Sequence, residues 1–204
     1  QGRDVMAGKR TTAESRGVGQ GISRVSRLKE RQTAAFIPSA VGGRDAYPPL
    51  VEKKIRKKIP RKEMRLALRS AIAATASKEV VAARGHVVDE VPEFPLIITD
   101  EFQELNKTKD VKDTFLQLGI WLDITRVRES RKVRAGKGKG RGRRTKQAVG
   151  PLIVINENKG IAKAAHNIPG VDIVAVDSLN VELLSPGARP GRLTMWTNSG
   201  RKVG

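Results

Sequence analysis

The stretch GPLIVINENKGIAKAAHNIPGVDIVAV, residues 150–176, places an alanine-rich segment between two apolar runs. The run Leu152–Ile155 is continuously apolar, which is typical of a strand buried on both faces of a parallel sheet. Residues 160–166 predict a short helix, and residues 171–176 predict a second strand. A strand, a helix and a strand in this order are typical of an α/β fold with a mostly parallel sheet and helices on its faces.

The same alternation extends in both directions from this stretch. Residues 94–99, 120–125 and 193–197 predict further strands, and residues 108–118 predict a helix that ends at Gly119. A longer amphipathic helix is predicted from Pro60, which suits the first helical position, to Gly85, which suits a helix stop. Side chains recur along it at spacings of three and four residues: Met64, Leu68, Ala71, Ile72 and Thr75.

The positive charge is concentrated in two segments. Residues 1–62 hold 16 Lys/Arg and 5 Asp/Glu, a net charge of +11, and residues 130–150 hold 9 Lys/Arg and no acid. The whole chain carries +19, so the other 121 residues sum to −1. A nearly neutral body with cationic segments is typical of a protein that binds a polyanion.

The two basic segments each leave an alternative open. Residues 1–59 show no lasting helical or strand period, so they either stay disordered or fold on a nucleic acid. Residues 53–62, KKIRKKIPRK, place seven cations at the predicted helix start, where they oppose the helix dipole. Either a phosphate docked at this position or screening by solvent would offset that unfavourable interaction. In residues 131–146 four glycines alternate with Lys and Arg, which fits close backbone contact with RNA or a flexible solvated loop.

Other classes of protein find little support. The chain has no cysteine and no apolar run near the roughly 20 residues of a membrane span. The glycine-rich stretches match neither a P-loop nor a dinucleotide fingerprint. His86 and His166 stand apart from each other and from any carboxylate cluster, so no catalytic, metal or cofactor site is predicted. Acidic residues predict a solvated rim around the strand at 94–99: Asp89, Glu90, Glu93, Asp100, Glu101 and Glu104.

Aromatic residues bear on the kind of nucleic acid. Phe36 and Tyr47 are the only aromatic residues in the basic segments, which disfavours single-strand binding by base stacking and favours the phosphates and shape of folded RNA. Composition alone does not separate RNA from DNA. An RNA-processing enzyme and a DNA-compacting protein therefore remain the rival hypotheses.

Six segments of the chain resemble one protein family. They are TTAESRGVGQG (11–21), YPPLVEKKI (47–55), EMRLALRSAIAATA (63–76), RGH (84–86), RAGKGKGRGRRTK (134–146) and LNVELLSPGARPGRLTMWT (179–197). In this order they resemble the archaeal and eukaryotic branch of large-subunit ribosomal protein four, the exit-tunnel protein of the large ribosomal subunit.

The resemblance implies a structural protein of the cytoplasmic ribosome and not an enzyme. It implies that residues 60–204 form an α/β domain with a basic loop insertion at 130–150. Residues 1–59 would form an extended basic loop of the same domain that helps to line the nascent-peptide exit tunnel. The implied partners are large-subunit ribosomal RNA, neighbouring large-subunit ribosomal proteins and the nascent peptide, with no cofactor and no membrane.

The chain departs from the family at both ends. A strand and a helix that usually precede the loop are missing, so we expect either a longer protein or a sheet without that strand. The long C-terminal extension of eukaryotic members is also absent, which favours an archaeal source.

The resemblance and the charge pattern together predict two sets of residues. The predicted contacts to ribosomal RNA are Arg3, Lys9, Arg10, Arg16, Arg24, Arg27, Lys29, Arg31, Arg44, Lys53, Lys54, Arg56, Lys57, Lys58, Arg61, Lys62, Arg131, Lys132, Arg134, Lys137, Lys139, Arg141, Arg143, Arg144 and Lys146. The predicted tunnel tip comprises Gly17, Gly19, Gln20, Gly21, Ser23, Arg24 and Arg27.

Overall fold

The chain folds as two units, Gln1–Lys58 and Ile59–Gly204, in a computed structural model that describes residues 2–201. We call them the N-terminal unit and the C-terminal unit. Residue 1 and residues 202–204, which belong to the two predicted domains, lie outside the described residues.

The N-terminal unit is built from turns rather than from a core. Its regular structure is one antiparallel pair, β1 (Ala13–Glu14) and β2 (Arg27–Leu28). Among residues 2–58, Gly43 is the one buried residue, so no side chain in this range is buried. Ordering such a segment costs conformational entropy that apolar burial within the unit does not offset.

Two helices open the C-terminal unit where the sequence predicted one. Helix α1 spans Arg61–Thr75 and α2 spans Lys78–Arg84, because the backbone at Ser77 is extended. Gly85 ends α2 at a φ of 102°, which confirms the predicted stop and suits a residue without a Cβ. Of the five positions predicted for the apolar face, Ala71 and Thr75 are buried, whereas Met64 is 56% exposed.

The next elements are β3 (Leu96–Ile98), α3 (Thr108–Gln117) and α4 (Trp121–Glu129). The strand predicted at residues 120–125 is therefore wrong, since these residues form the start of α4. Isoleucine, tryptophan and threonine favour strands locally. However, Ile120, Ile124 and Val127 recur at helical spacing and all three are buried, so tertiary packing overrides the local preference.

The remaining elements include the other three strands of the main sheet and a separate pair of strands. They are β4 (Lys132–Val133), β5 (Thr145–Lys146), β6 (Leu152–Ile155), α5 (Ile161–Ala165), β7 (Asp172–Ala175), α6 (Val181–Leu184), β8 (Thr194–Thr197) and α7 (Asn198–Arg201). Four of the strands form one sheet in the order β3-β8-β6-β7, and each neighbouring pair is parallel. This confirms the predicted α/β fold with a parallel sheet. None of the helices in residues 2–201 is long and apolar enough to cross a membrane.

The position of β6 between two hydrophobic clusters explains why its sequence is apolar without interruption. Ile153 and Ile155 pack into the larger hydrophobic cluster with Phe115. Leu152 and Val154 pack into a second cluster with Leu184. Successive side chains of a strand point to opposite faces, so a strand with a core on both sides must be apolar at every position.

Candidate nucleic-acid interface

The predicted basic loop is an ordered hairpin, which we call the basic hairpin (residues 131–146). Its strands β4 and β5 pair antiparallel, with Lys132 opposite Lys146 and Val133 opposite Thr145. The Arg134 N–H donates to the Arg144 carbonyl at 2.8 Å, and a 3-10 turn at Lys137–Arg141 forms the end of the hairpin. Gly142 follows that turn at a φ of 79°, where an L side chain would be strained.

The cations of the basic hairpin are available to an external anion. Arg134 is half-buried, and the eight other Lys and Arg side chains are exposed. No ion pair joins any of the nine to a carboxylate of the part of the chain that the structure describes. Nine like charges on one exposed hairpin repel one another and attract a polyanion.

Several of the predicted RNA contacts in the N-terminal unit have partners among residues 2–58. The Arg3 Nη1 lies 2.8 Å from Asp45 Oδ1, and its Nη2 donates to the Gly43 carbonyl at 2.7 Å. Arg44 donates to the Phe36 carbonyl at 3.2 Å and lies over the Phe36 ring. Arg10, Lys29 and Arg27 bind Asp4, Glu14 and the Gln32 carbonyl respectively. These side chains hold turns together in addition to any contact with RNA.

The predicted tunnel tip lies on the loop between β1 and β2. Gly17, Gly19 and Gly21 all have positive φ and open space around their Cα atoms, and residues 15–24 are exposed. The Ser15 hydroxyl donates to the Arg24 carbonyl at 2.9 Å and closes the loop. Arg27 donates to the Ser23 hydroxyl at 3.0 Å. Glycines thus let the chain turn tightly here without side chains that would widen the loop.

The cationic run at residues 53–62 is exposed throughout. Within the described residues, none of its Lys or Arg side chains forms an ion pair with a carboxylate. Arg61 and Lys62 occupy the first turn of α1, and the residue before it, Pro60, offers no side-chain cap. The first N–H groups of α1 therefore lack a capping side chain.

Residues that the sequence analysis missed lie at the root of the basic hairpin. His86 Nδ1 lies 3.0 Å from Asp123 Oδ2, and these side chains are 1% and 0% exposed. The carboxylate beside His86 is thus a single one and not a cluster, and His166 is exposed. Asp123 also accepts from the Val87 N–H at 3.0 Å and from Arg126 Nε at 2.9 Å. If a helix had been predicted at residues 121–129, the spacing of three residues would have indicated the Asp123–Arg126 pair.

Two pKa shifts describe the electrostatics of this region. Burial raises the pKa of the Asp123 carboxyl, but the hydrogen bonds from His86 and Arg126 outweigh burial, so that its pKa is below the ordinary value. Burial lowers the pKa of Arg84, and the charges of Arg192, Arg189 and Arg126 lower it further. Three guanidinium groups thus disfavour the charged form of Arg84.

Acid should weaken the contribution of Asp123 to stability. Because its pKa is lowered on folding, this contribution is complete above the unfolded pKa near 3.8 and is lost as pH falls through the folded pKa. We expect the difference in free energy of unfolding between the wild type and Asp123→Asn to shrink from pH 5 to pH 2.5, measured by urea denaturation. A difference that stays constant over that range would contradict the assignment.

Arg192 fastens the chain that returns from the basic hairpin. Its guanidinium is buried and donates to the carbonyls of Gly150 at 2.8 Å and Leu183 at 3.0 Å, and to Asp172. Gly150 and Pro151 directly precede β6, and Asp172 begins β7. This side chain joins the amino ends of two parallel strands to α6.

The exposed acids form the predicted rim. Asp89, Glu90 and Glu93 are exposed, as are Asp100, Glu101 and Glu104. Among the described residues, no group of three His, Asp or Glu side chains is placed to hold a metal ion.

Comparison with known proteins gives one family. Residues 1–202 match the ribosomal protein L4/L1 family. The large ribosomal subunit protein uL4 of Methanosphaera stadtmanae is 50% identical over 198 residues, which is 97% of this chain and 76% of that protein. The proteins of the same name from Pyrobaculum aerophilum and Saccharolobus solfataricus are 49% and 47% identical, over 94% and 100% of this chain and 69% and 76% of their own lengths.

Proposed function

Because the chain belongs to the ribosomal protein L4/L1 family, we propose that the basic hairpin and the N-terminal unit bind large-subunit ribosomal RNA through its phosphates. As a member of the archaeal type of this family, the chain is a structural constituent of the large ribosomal subunit and not an enzyme. Its partners are ribosomal RNA and other ribosomal proteins. The residues that make these contacts are the subject of the proposal.

The proposal rests on the cations of the basic hairpin, which are available to bind an external anion. Nine Lys and Arg side chains lie on sixteen consecutive residues without an intramolecular carboxylate partner in the described residues. Each cation that meets a phosphate releases condensed counterions, which favours binding by an entropic term. Intramolecular ion pairs would have cancelled that gain, as they do in part for Arg3 and Arg10 in the N-terminal unit.

The N-terminal unit acquires its stability from RNA in this proposal. Residues 2–58 bury no side chain, so the energy that orders them must come from a partner. Lys53, Lys54, Arg56, Lys57 and Lys58 are exposed and would neutralise phosphates. Arg61 and Lys62 would add charge at the uncapped start of α1, where helix N–H groups favour an anion.

A contact of the tip with the nascent peptide is the second part of the proposal. The loop that carries Gly17, Gly19, Gln20 and Gly21 is narrow and exposed, as a segment in a tunnel wall must be. The chain has no cysteine, so a single Gln20→Cys substitution creates one unique site for a photoreactive cross-linker. We expect this site to cross-link to a stalled nascent peptide in assembled ribosomes, whereas Ser178→Cys, exposed in the C-terminal unit, does not. Equal labelling from both sites would exclude the tip contact.

A competition experiment distinguishes specific binding of ribosomal RNA from general binding of polyanions. We expect large-subunit ribosomal RNA to displace a labelled RNA fragment from the chain at a lower phosphate concentration than duplex DNA does. The chain should also stay with large subunits through a high-salt wash during sedimentation, because buried phosphate contacts exchange slowly. Equal competition by DNA together with loss in the wash would favour a DNA-compacting protein instead.

A further inference from the structure

The direction of the basic hairpin is set at its root, since the hairpin has no core of its own. Residues 131–147 include no buried residue. Its internal bonds, such as Arg134 N–H to Arg144 O and Arg143 N–H to Gly138 O, join one part of the hairpin to another and leave its angle to the sheet undetermined. The bonds that connect the root to the rest of the C-terminal unit must therefore fix that angle.

Arg126 of α4 and Ser130, which follows α4, make the bonds of this kind that lie nearest the hairpin. The Ser130 hydroxyl accepts from the Ala148 N–H at 2.8 Å and donates to the Val127 carbonyl at 2.6 Å. One turn earlier, Arg126 Nη2 donates to the Val149 carbonyl at 3.1 Å. The segment that returns from the basic hairpin is thus attached at two successive residues, Ala148 and Val149, to the end of the helix that precedes the hairpin.

Arg126 is itself hydrogen-bonded to a buried carboxylate, that of Asp123. Its Nε donates to Asp123 Oδ1 at 2.9 Å, and its Nη2 lies 3.4 Å from His86 Nδ1. Asp123 is kept in place by His86 and by the Val87 N–H, which follow the glycine cap of α2. A guanidinium has donors on several nitrogens in one rigid plane, so it can hold a carboxylate and a carbonyl at the same time.

We propose that Arg126, held by Asp123, which His86 keeps in place, is a positioning residue that orients the basic hairpin for ribosomal RNA. The inference rests on the proposed function of the basic hairpin. An oriented hairpin meets the RNA without first losing the freedom to swing, so preorganisation raises affinity without adding any phosphate contact. Arg126 is 29% exposed at its side chain and takes no part in the hydrophobic clusters, so a substitution there spares the core.

The alternative is that the His86–Asp123–Arg126 group only stabilises the fold. Arg126→Lys separates the two roles because it keeps the charge but replaces the rigid planar fork, which bonds Asp123 and Val149 through two nitrogens, with one ammonium on a flexible chain. Arg128→Lys is the matched control, since Arg128 lies on the same helix and its exposed side chain makes no hydrogen bond among the described residues. Ser130→Ala loosens the same root without any change of charge.

Two measurements test the proposal, one of them without RNA. In the free chain, amide hydrogen exchange at Ala148 should become about tenfold faster in Arg126→Lys and in Ser130→Ala, and stay unchanged in Arg128→Lys. Affinity for large-subunit ribosomal RNA should fall about tenfold in the first two variants, with the slope of log Kobs against log salt unchanged because the number of phosphate contacts is the same.

Either of two results overturns the inference: unchanged exchange at Ala148, or an RNA affinity of Arg126→Lys equal to that of Arg128→Lys. A fall in the salt slope of about one unit in Arg126→Gln, which removes the charge, would also overturn it, because Arg126 would then be a direct phosphate contact. If the wild-type chain binds no ribosomal RNA, the proposed function fails, and amide exchange alone decides whether Arg126 holds the root.

Discussion

Replacing six cations of the basic hairpin by glutamine should lower the slope of log Kobs against log salt for ribosomal RNA by about four to six units. The substituted residues are Arg134, Lys137, Lys139, Arg141, Arg143 and Arg144. Each neutralised phosphate contributes roughly 0.7 to 0.9 to that slope, and at low salt the lost contacts should cost about a thousandfold in affinity. Equilibrium binding from 50 to 400 mM salt measures both quantities.

A matched variant shows whether position matters or only net charge. It removes the same number of charges from exposed residues of the C-terminal unit outside the basic segments: Arg65, Arg69, Lys78, Lys107, Lys109 and Lys163. We expect its slope to change by less than about one unit, since these side chains make no phosphate contact in the proposed interface. Equal losses in both variants would mean that the chain binds by overall charge, and the basic hairpin would not be the site.

Arg192→Met should lower the free energy of unfolding by about 3 kcal/mol. Methionine fills a similar space but leaves two carbonyls without this donor, that of Gly150 in a buried setting and that of Leu183 in a partly buried one. An unpaired buried carbonyl costs about 1–3 kcal/mol. The Asp172 carboxylate adds less, because its side chain is 54% exposed and solvent screens its charge.

Arg189→Met is the control for this substitution. Arg189 is exposed, and its side chain makes no hydrogen bond in the part of the chain that is described, so its loss should change stability by less than about 0.5 kcal/mol. Urea denaturation followed by circular dichroism at pH 7 compares the two variants with the wild type. If Arg192→Met loses under about 1 kcal/mol, then water or a backbone shift satisfies the carbonyls, and Arg192 does not fasten the strands.

The order of the fold was predictable where packing and local preference agree. Leu152–Ile155 is apolar at every position because both faces of β6 are buried, and Gly85 ends α2 because it takes a positive φ. The prediction failed at residues 120–125, where strand-favouring residues form α4. There the buried positions follow a helical period, and contacts from distant parts of the chain outweigh local preference.

The candidate site, too, was predictable only in part. The two cationic segments and the absence of cysteine are properties of composition, so the sequence by itself indicated a polyanion partner. The sequence did not predict the pairings between residues that lie far apart in the chain. Arg3 meets Asp45 across 42 positions, and His86 meets Asp123 across 37.

The amino-acid sequence alone determined the parallel α/β class, the place of the cationic segments and the family of this protein, because these depend on periodicity, charge and local similarity. Only the tertiary structure decided which cations are free and which are paired, and how the basic hairpin is attached. Those outcomes depend on distances between residues remote in the chain, and electrostatic and hydrogen-bond energies fall steeply over a few ångströms.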